Sequence, residues 1–427
     1  MHRHLTTVFL AFIAIGLVFA SPAFAGDQDL RQQIQELEKR IDALSDQQSN
    51  QLEQTIESYL DNSSAWKSAD GADSKNITIT AALTVNFFGT LDMDPNNRHT
   101  MSGDLDIGFH FQVTDNVAIN VMTVAAAGGG SASTVETVAN FSGASDGIGT
   151  NGNASTTGTG RALNIDEAAV TVNVPNSNFT VEFGAMDPRR RFLQNAYADN
   201  ENTQFINNLF DDVSSVLWQT GSTGAGVLGV HFWANFGDND DYTVAVGWFN
   251  SAGAFFTKGS LFIQFSAHIA SGAGDGMNIR VMVNLDHVNN DVGGDATVAW
   301  GISWDMEVND QIGVFVRIAG NDDDAARGNP VEFEAEFGVQ IAMGDEGNAL
   351  GIAIALVKAN ETPGVNTPLG PVPEDLELTL EIYYRMNLEG GKLQITPFMM
   401  FISDPGGGLS VLNDTLFIIG FRVHVPF

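Results

Sequence analysis

From Asn76 to Phe427 apolar and polar residues alternate with a period of two. Val331, Phe333, Ala335, Phe337 and Val339 share one phase, with Glu332, Glu334 and Glu336 between them. Farther on, Leu376, Leu378, Leu380, Ile382, Tyr384 and Met386 share a phase, while Glu377, Glu381 and Arg385 occupy the other. Leu105, Ile107, Phe109, Phe111 and Val113 likewise alternate with Asp104, Asp106, His110 and Gln112. Successive side chains of a strand point to opposite faces, so each run predicts a strand with one apolar and one polar face. Nearer the start the period differs. Leu30, Ile34, Leu37, Ile41 and Leu44 are spaced 4, 3, 4 and 3, a heptad seam, and Leu44, Gln48, Leu52, Ile56 and Tyr59 continue it through a stutter. This predicts a coiled-coil helix over 26–60, then a polar linker over 61–75.

The apolar run Leu5–Ala20 follows a basic start (His2, Arg3, His4) and precedes Ala23-Phe24-Ala25. It reads as a secretory signal peptide over 1–25, with cleavage expected after Ala25. Beyond it no uncharged apolar run approaches the roughly 18–20 residues of a membrane helix. A membrane chain built of strands must close, because only closure satisfies every backbone N–H and C=O in hydrocarbon. The predicted strands are 77–89, 101–113, 117–127, 164–174, 178–186, 227–236, 242–250, 260–270, 277–288, 296–306, 311–320, 330–342, 348–359, 375–387, 391–402 and 414–427. The fold expected is therefore all-β, a 16-stranded antiparallel transmembrane β-barrel over 76–427, preceded by a short α-helical coiled coil.

Parity supports that number. With both ends periplasmic, the short connections (Thr114–Asn116, Pro175–Asn178, Gly237–Asp241, Val308–Asp310, Gly344–Gly347, Asn387–Gly390) fall on the periplasmic side, and the longer ones (91–100, 128–163, 187–226, 321–329, 360–374, 403–413) fall outside. An extra strand at 213–220 would invert every later turn, so it is placed inside the 187–226 loop. Sixteen strands enclose an aqueous pore. Trp300 and Trp304 lie on the apolar phase, where aromatic girdles form.

Charge sharpens the picture. Nineteen basic residues stand against 52 acidic ones, a net of −33, which excludes nucleic acid as a partner. It fits solvated acidic loops or a lumen that favours cations. A bare tube of this size selects poorly, so the 187–226 loop is expected to fold inward. It opens on a basic cluster, Arg189, Arg190 and Arg191, followed by Phe192. Guanidinium donors beside aromatic rings suit a sugar path; alternatively these arginines pin the loop to wall carboxylates such as Glu332, Glu334 and Glu336. The expected lumen wall is Arg280, Arg317, Glu332, Glu334, Glu336, Glu381, Arg385 and Arg422. In the last strand Phe417, Ile419, Phe421, Val423, Val425 and Phe427 share the outward phase, and Arg422 and His424 the inward one. No catalytic constellation, cofactor motif or metal-ligand spacing is present: the histidines are scattered singly and cysteine is absent. Asp322–Asp324 reads as a solvated loop.

Phe183-Gly184-Ala185-Met186-Asp187-Pro188, followed by Asn195-Ala196-Tyr197-Ala198-Asp199-Asn200-Glu201-Asn202-Thr203-Gln204-Phe205, resembles the carbohydrate-selective porin family of OprB type. So do Leu393–Pro397, Asp404–Gly407 and Gly420-Phe421-Arg422 leading to Phe427. The resemblance implies a sixteen-stranded porin in the outer-membrane lipid that admits sugars and other small polar solutes by diffusion. It adds Asn195, Tyr197, Asn200, Glu201 and Gln204 to the solute path, and implies that Phe421 and Phe427 serve closure and assembly. It further implies a homotrimer, and the stalk suggests a contact with peptidoglycan. The acidity and the Gly/Ser/Thr-rich loop 128–163 depart from the sugar-specific members. A general or cation-preferring channel, or a structural tether between outer membrane and cell wall, are the other readings.

Overall fold

The computed structural model describes residues 77–91, 99–128, 162–200, 202–211, 227–237, 241–250, 259–271, 274–286, 297–321, 331–344, 347–359, 376–404 and 415–427. The expected signal peptide, coiled coil and linker, and the segment 213–220, lie outside them. The chain divides into the units Met1–Ser74 and Lys75–Phe427, and the fold described is that of the second.

Its strands are β1 (Ile77–Leu91), β2 (His99–Thr114), β3 (Val117–Gly128), β4 (Ala162–Asn173), β5 (Phe179–Met186), β6 (Val227–Phe236), β7 (Tyr242–Asn250) and β8 (Ser260–Ser271). They continue with β9 (Gly274–Asp286), β10 (Thr297–Asn309), β11 (Ile312–Asn321), β12 (Val331–Met343), β13 (Asn348–Ala359), β14 (Leu376–Leu388), β15 (Leu393–Ser403) and β16 (Thr415–Pro426). Each pairs antiparallel with its neighbours, and β1 pairs with β16 to close the barrel. The sixteen strands fall where the alternation predicts them, with ends displaced by a few residues; β2 starts at His99 and β9 at Gly274. At the seam Phe87 stands opposite Phe421, their rings stacked at 4.8 Å, and the Phe427 N–H donates to the Ala81 carbonyl at 2.7 Å.

Burial identifies the two faces. Ile79, Ile165 and Phe337 are more than half exposed, whereas Arg317, Glu336, Glu381 and Arg422 are buried. An exterior of exposed apolar side chains over an interior of buried charge inverts the usual soluble pattern and suits a lipid surround. Glu334, Glu336, Glu381, Arg385 and Arg422 point inward, judged by their burial and contacts.

Two features depart from the alternation. A β-bulge between Val331 and Phe333 resets β12 against β13. Val331 turns into the interior beside Val357, and Glu332 pairs instead with Lys358 at 2.9 Å. Lys358 shares the outward phase of Ile354 and Leu356, so Glu332 does not join the lumen wall with Glu334 and Glu336. A bulge inserts one residue and flips the phase beyond it, which strict period-two counting misses. The interior is also less polar than its strands suggest. Phe315, Tyr383, Phe398, Met400, Ile402 and Ile418 face inward and form an apolar bed.

Candidate functional site

The chain leaving β5 folds into the barrel and crosses it. Asp187 starts this loop by capping a single 3-10 turn, Pro188–Arg190: its Oδ1 accepts the Arg189 N–H at 2.9 Å. The Arg189 guanidinium folds back on the same carboxylate. Burial alone would raise the Asp187 pKa, but the Arg189 charge and hydrogen bonds, with Arg190 nearby, outweigh it and lower it to about 2. Arg191 reaches the wall, donating to Glu182 at 2.8 Å and to Glu167. Burial disfavours its charge, and the two carboxylates more than offset this, raising its pKa above the ordinary value.

The basic cluster therefore pins the loop, but to Glu167 on β4 and Glu182 on β5 rather than to Glu332, Glu334 or Glu336. Glu336 carries a different anchor. Arg317 on β11 is buried between Glu336, at 2.9 Å, and Asp199 of the loop. It also donates to the carbonyls of Leu209 and Phe210. Glu381 on β14 accepts the backbone N–H groups of Ile206 and Asn207 at 2.8 and 3.0 Å, just before a short helix, α1 (Asn208–Asp211). Arg385 and Arg422 each donate at 2.8 Å to loop carbonyls, those of Thr203 and Gln204. Backbone groups buried inside a pore must find partners, and these charged wall residues supply them.

Apolar side chains complete the docking. Phe205, Ile206, Leu209 and Phe210 sink into the bed of Phe315, Tyr383 and Phe398. Phe192 and Leu193 pack among Met186, Phe249, Phe262 and Met282, Phe192 lying 5.0 Å from Phe262. Leu193 adopts φ 53°, a left-handed conformation unusual for leucine, with its N–H held by Gln264 Oε1 at 2.7 Å.

Of the solute-path residues read from the sequence, Phe192, Asn195 and Tyr197 are thus anchors. Asn195 is buried and donates to Ser303 Oγ at 3.2 Å, and Tyr197 packs against the apolar bed. Asn200 and Gln204 shape the loop: Asn200 Oδ1 accepts from Asn202 and Thr203, and Gln204 bridges Asn200 and Ala196. Glu201 lies outside the described residues. Arg190 and Arg191 do meet open space. With Gln194 they border a cavity of about 560 Å³ against the β5–β9 wall, opposite Arg280.

Several lining residues escape sequence reasoning. Trp233 and His231 line this cavity, their rings stacked at 4.8 Å, and Glu182, Gln264 and Asn278 line it too. The signal available was phase: His231, Trp233 and Asn235 share the inward face of β6, opposite the exposed Leu228, Phe232 and Phe236. The charges here are matched in pairs. Arg191 lies on Glu167 and Glu182, Arg280 lies on Asp305 at 2.5 Å, and Arg190 stands 3.7 Å from Glu167. Asp241 adds one further carboxylate to the lining, so the donors face the cavity with at most a small negative excess.

The model of a family described as "Carbohydrate-selective porin, OprB family" matches residues 218–427. No curated protein sequence matches the chain. Among solved structures, Pseudomonas putida OprB at high pH superposes with a TM-score of 0.64 at 13% identity, covering 83% of this chain and 94% of that one. Its low-pH structure gives 0.52 at 11% identity, over 83% and 93%. Salmonella typhi OmpF, in a complex with daunomycin, gives 0.52 at 10% identity, over 82% and 98%. At such identities these likenesses speak to the fold alone.

Proposed function

We propose that this chain is a carbohydrate-selective porin of OprB type, an outer-membrane channel for passive diffusion of sugars, and that its solutes pass through the cavity between the inward loop and the β5–β9 wall. The observation that carries this is the lining. Arg190 and Arg280 offer guanidinium donors, Gln264 and Asn278 offer amides, and the Trp233 ring stands beside them. Hydroxyls need such convergent polar groups, and the apolar face of a sugar ring suits an indole. Charge pairing favours uncharged solutes over ions, which supports sugars above a strongly cation-preferring channel.

Arg190 is the residue to remove, since its guanidinium borders the cavity and is not the main anchor of the loop. In planar bilayers the wild-type channel should show a steady current that glucose reduces in a saturable way. Arg190→Ala should weaken that block several-fold, roughly the 1–2 kcal/mol expected of a charge-assisted hydrogen bond. A channel indifferent to glucose would remove the sugar path, and an unchanged block in the variant would remove Arg190 from it. Within the same reading the protein is a homotrimer, and a periplasmic helix over 26–60 reaches peptidoglycan. The support for that helix is the heptad spacing of Leu30, Ile34, Leu37, Ile41 and Leu44.

A further inference from the structure

We propose that two inward-facing wall glycines, Gly301 on β10 and Gly313 on β11, are positioning residues that set the bore of this pore by seating the loop. Each lies directly beneath one loop side chain. A Cβ on Gly313 would come within 2.1 Å of the Tyr197 ring, and one on Gly301 within 2.3 Å of the Leu193 side chain. Contacts this short do not occur between real atoms, so a larger residue must displace the side chain above it, and with it the loop, or else the strand.

The strands are held on both sides. Gly301 pairs with Met282 on β9 and Ala319 on β11 within unbroken ladders, and Gly313 pairs with Gln340 on β12 and with Glu307 on β10, the latter pair beside a β-bulge at the start of β11. Neither glycine has positive φ, and neither occupies a turn, so backbone conformation does not demand glycine there. Close approach of the loop does.

Around the seats the loop is tied on both sides. The Leu193 N–H is held by Gln264, Asn195 is held by Ser303 on the same inward face as Gly301, and Asp199 is held by Arg317 on the same face as Gly313. Leu193 and Tyr197 therefore stand at fixed heights above the wall, and the missing Cβ atoms determine those heights. Arg190, Arg191 and Gln194 of the same loop border the cavity, so a loop lifted off β10 and β11 moves into the lumen and narrows the path. The inference holds for any solute, because it concerns the clearance of the loop rather than what passes.

Its test is a coupling measured in salt solution alone. Gly313→Ala is expected to lower single-channel KCl conductance, and this loss should disappear in a Tyr197→Ala background, where space for the new methyl exists. Gly301→Ala should behave the same way against Leu193→Ala. Only refolded, heat-modifiable barrels enter the bilayer, so a variant that fails to fold contributes no channels, and the second pair provides an independent measurement. A Gly313→Ala channel with wild-type conductance would overturn the proposal. So would a loss of equal size with and without the Tyr197 ring, since that would place the effect in the strand.

Discussion

Asp187 and Arg317 do the same task with different exposure to acid. Asp187 caps the first turn of the loop and binds Arg189, and its pKa is lowered from 3.8 to about 2. A depressed carboxylate contributes stability that is fully present above its unfolded value and lost as pH falls through its folded value. The difference in thermal stability between the wild type and Asp187→Asn should therefore stay constant from neutrality to about pH 5. It should shrink as pH drops below 3.8 toward about 2, which a melting series over pH would register. A gap that widened on acidification would contradict this sign. Arg317 differs because its partner Glu336 is fully enclosed with it. Arg317→Met leaves that carboxylate without its guanidinium, a loss of about 3–5 kcal/mol for a broken buried pair.

At the scale of the element, removing Arg317 also unties the loop, which it holds through Asp199 and the Leu209 and Phe210 carbonyls. The loop is held at Glu167 and Glu182 near its start, at Gln264 and Ser303 in its middle, and at Arg317, Glu381, Arg385 and Arg422 toward α1. The strands keep their ladders without it, because each backbone pairs with its two neighbours. Arg317→Met should accordingly give a folded barrel whose open current is noisier and larger than wild type, as the Asp199–α1 stretch leaves the wall. Single-channel recording checks this; a quiet current of wild-type size would mean that the remaining anchors suffice. The apolar bed under Phe205 and Phe210 also explains why inward positions of β15 and β16 carry Phe398, Met400, Ile402 and Ile418, residues that a purely water-lined face would not need.

For the whole molecule the question is where its net charge of −33 is felt. Beside the cavity the guanidinium groups are balanced by Glu167, Glu182 and Asp305, and Asp241 leaves the lining only slightly negative. Ions should therefore cross with only a weak preference for cations, and the reversal potential in a KCl gradient should be small. Raising ionic strength should reduce even that preference, since distant acidic groups are screened over roughly 8–10 Å. A large, cation-selective potential would place the acidic charge in the conduction path and make this a cation-preferring porin.

Strand number, phase and closure were legible in the residues themselves. Period-two alternation is a local consequence of one face meeting apolar surroundings, so Leu376, Leu378 and Leu380 against Glu377 and Glu381 declared their faces without any partner in view. Parity then carried the count to sixteen, and Phe421 opposite Phe87 closed it. The partners of the loop were not legible. Arg317 meets Asp199 across 118 positions and Glu381 meets Ile206 across 175, distances along the chain that only the register of a closed barrel converts into contact. Local geometry also intervened: Arg191 took Glu182, nine positions back, instead of Glu334, Phe192 became an anchor instead of a solute contact, and one inserted residue at Glu332 turned Val331 inward. The sequence by itself determined which face each strand shows, because burial acts residue by residue. Only the tertiary structure decided which side chains meet across the lumen, because that depends on how sixteen registers add up around the ring.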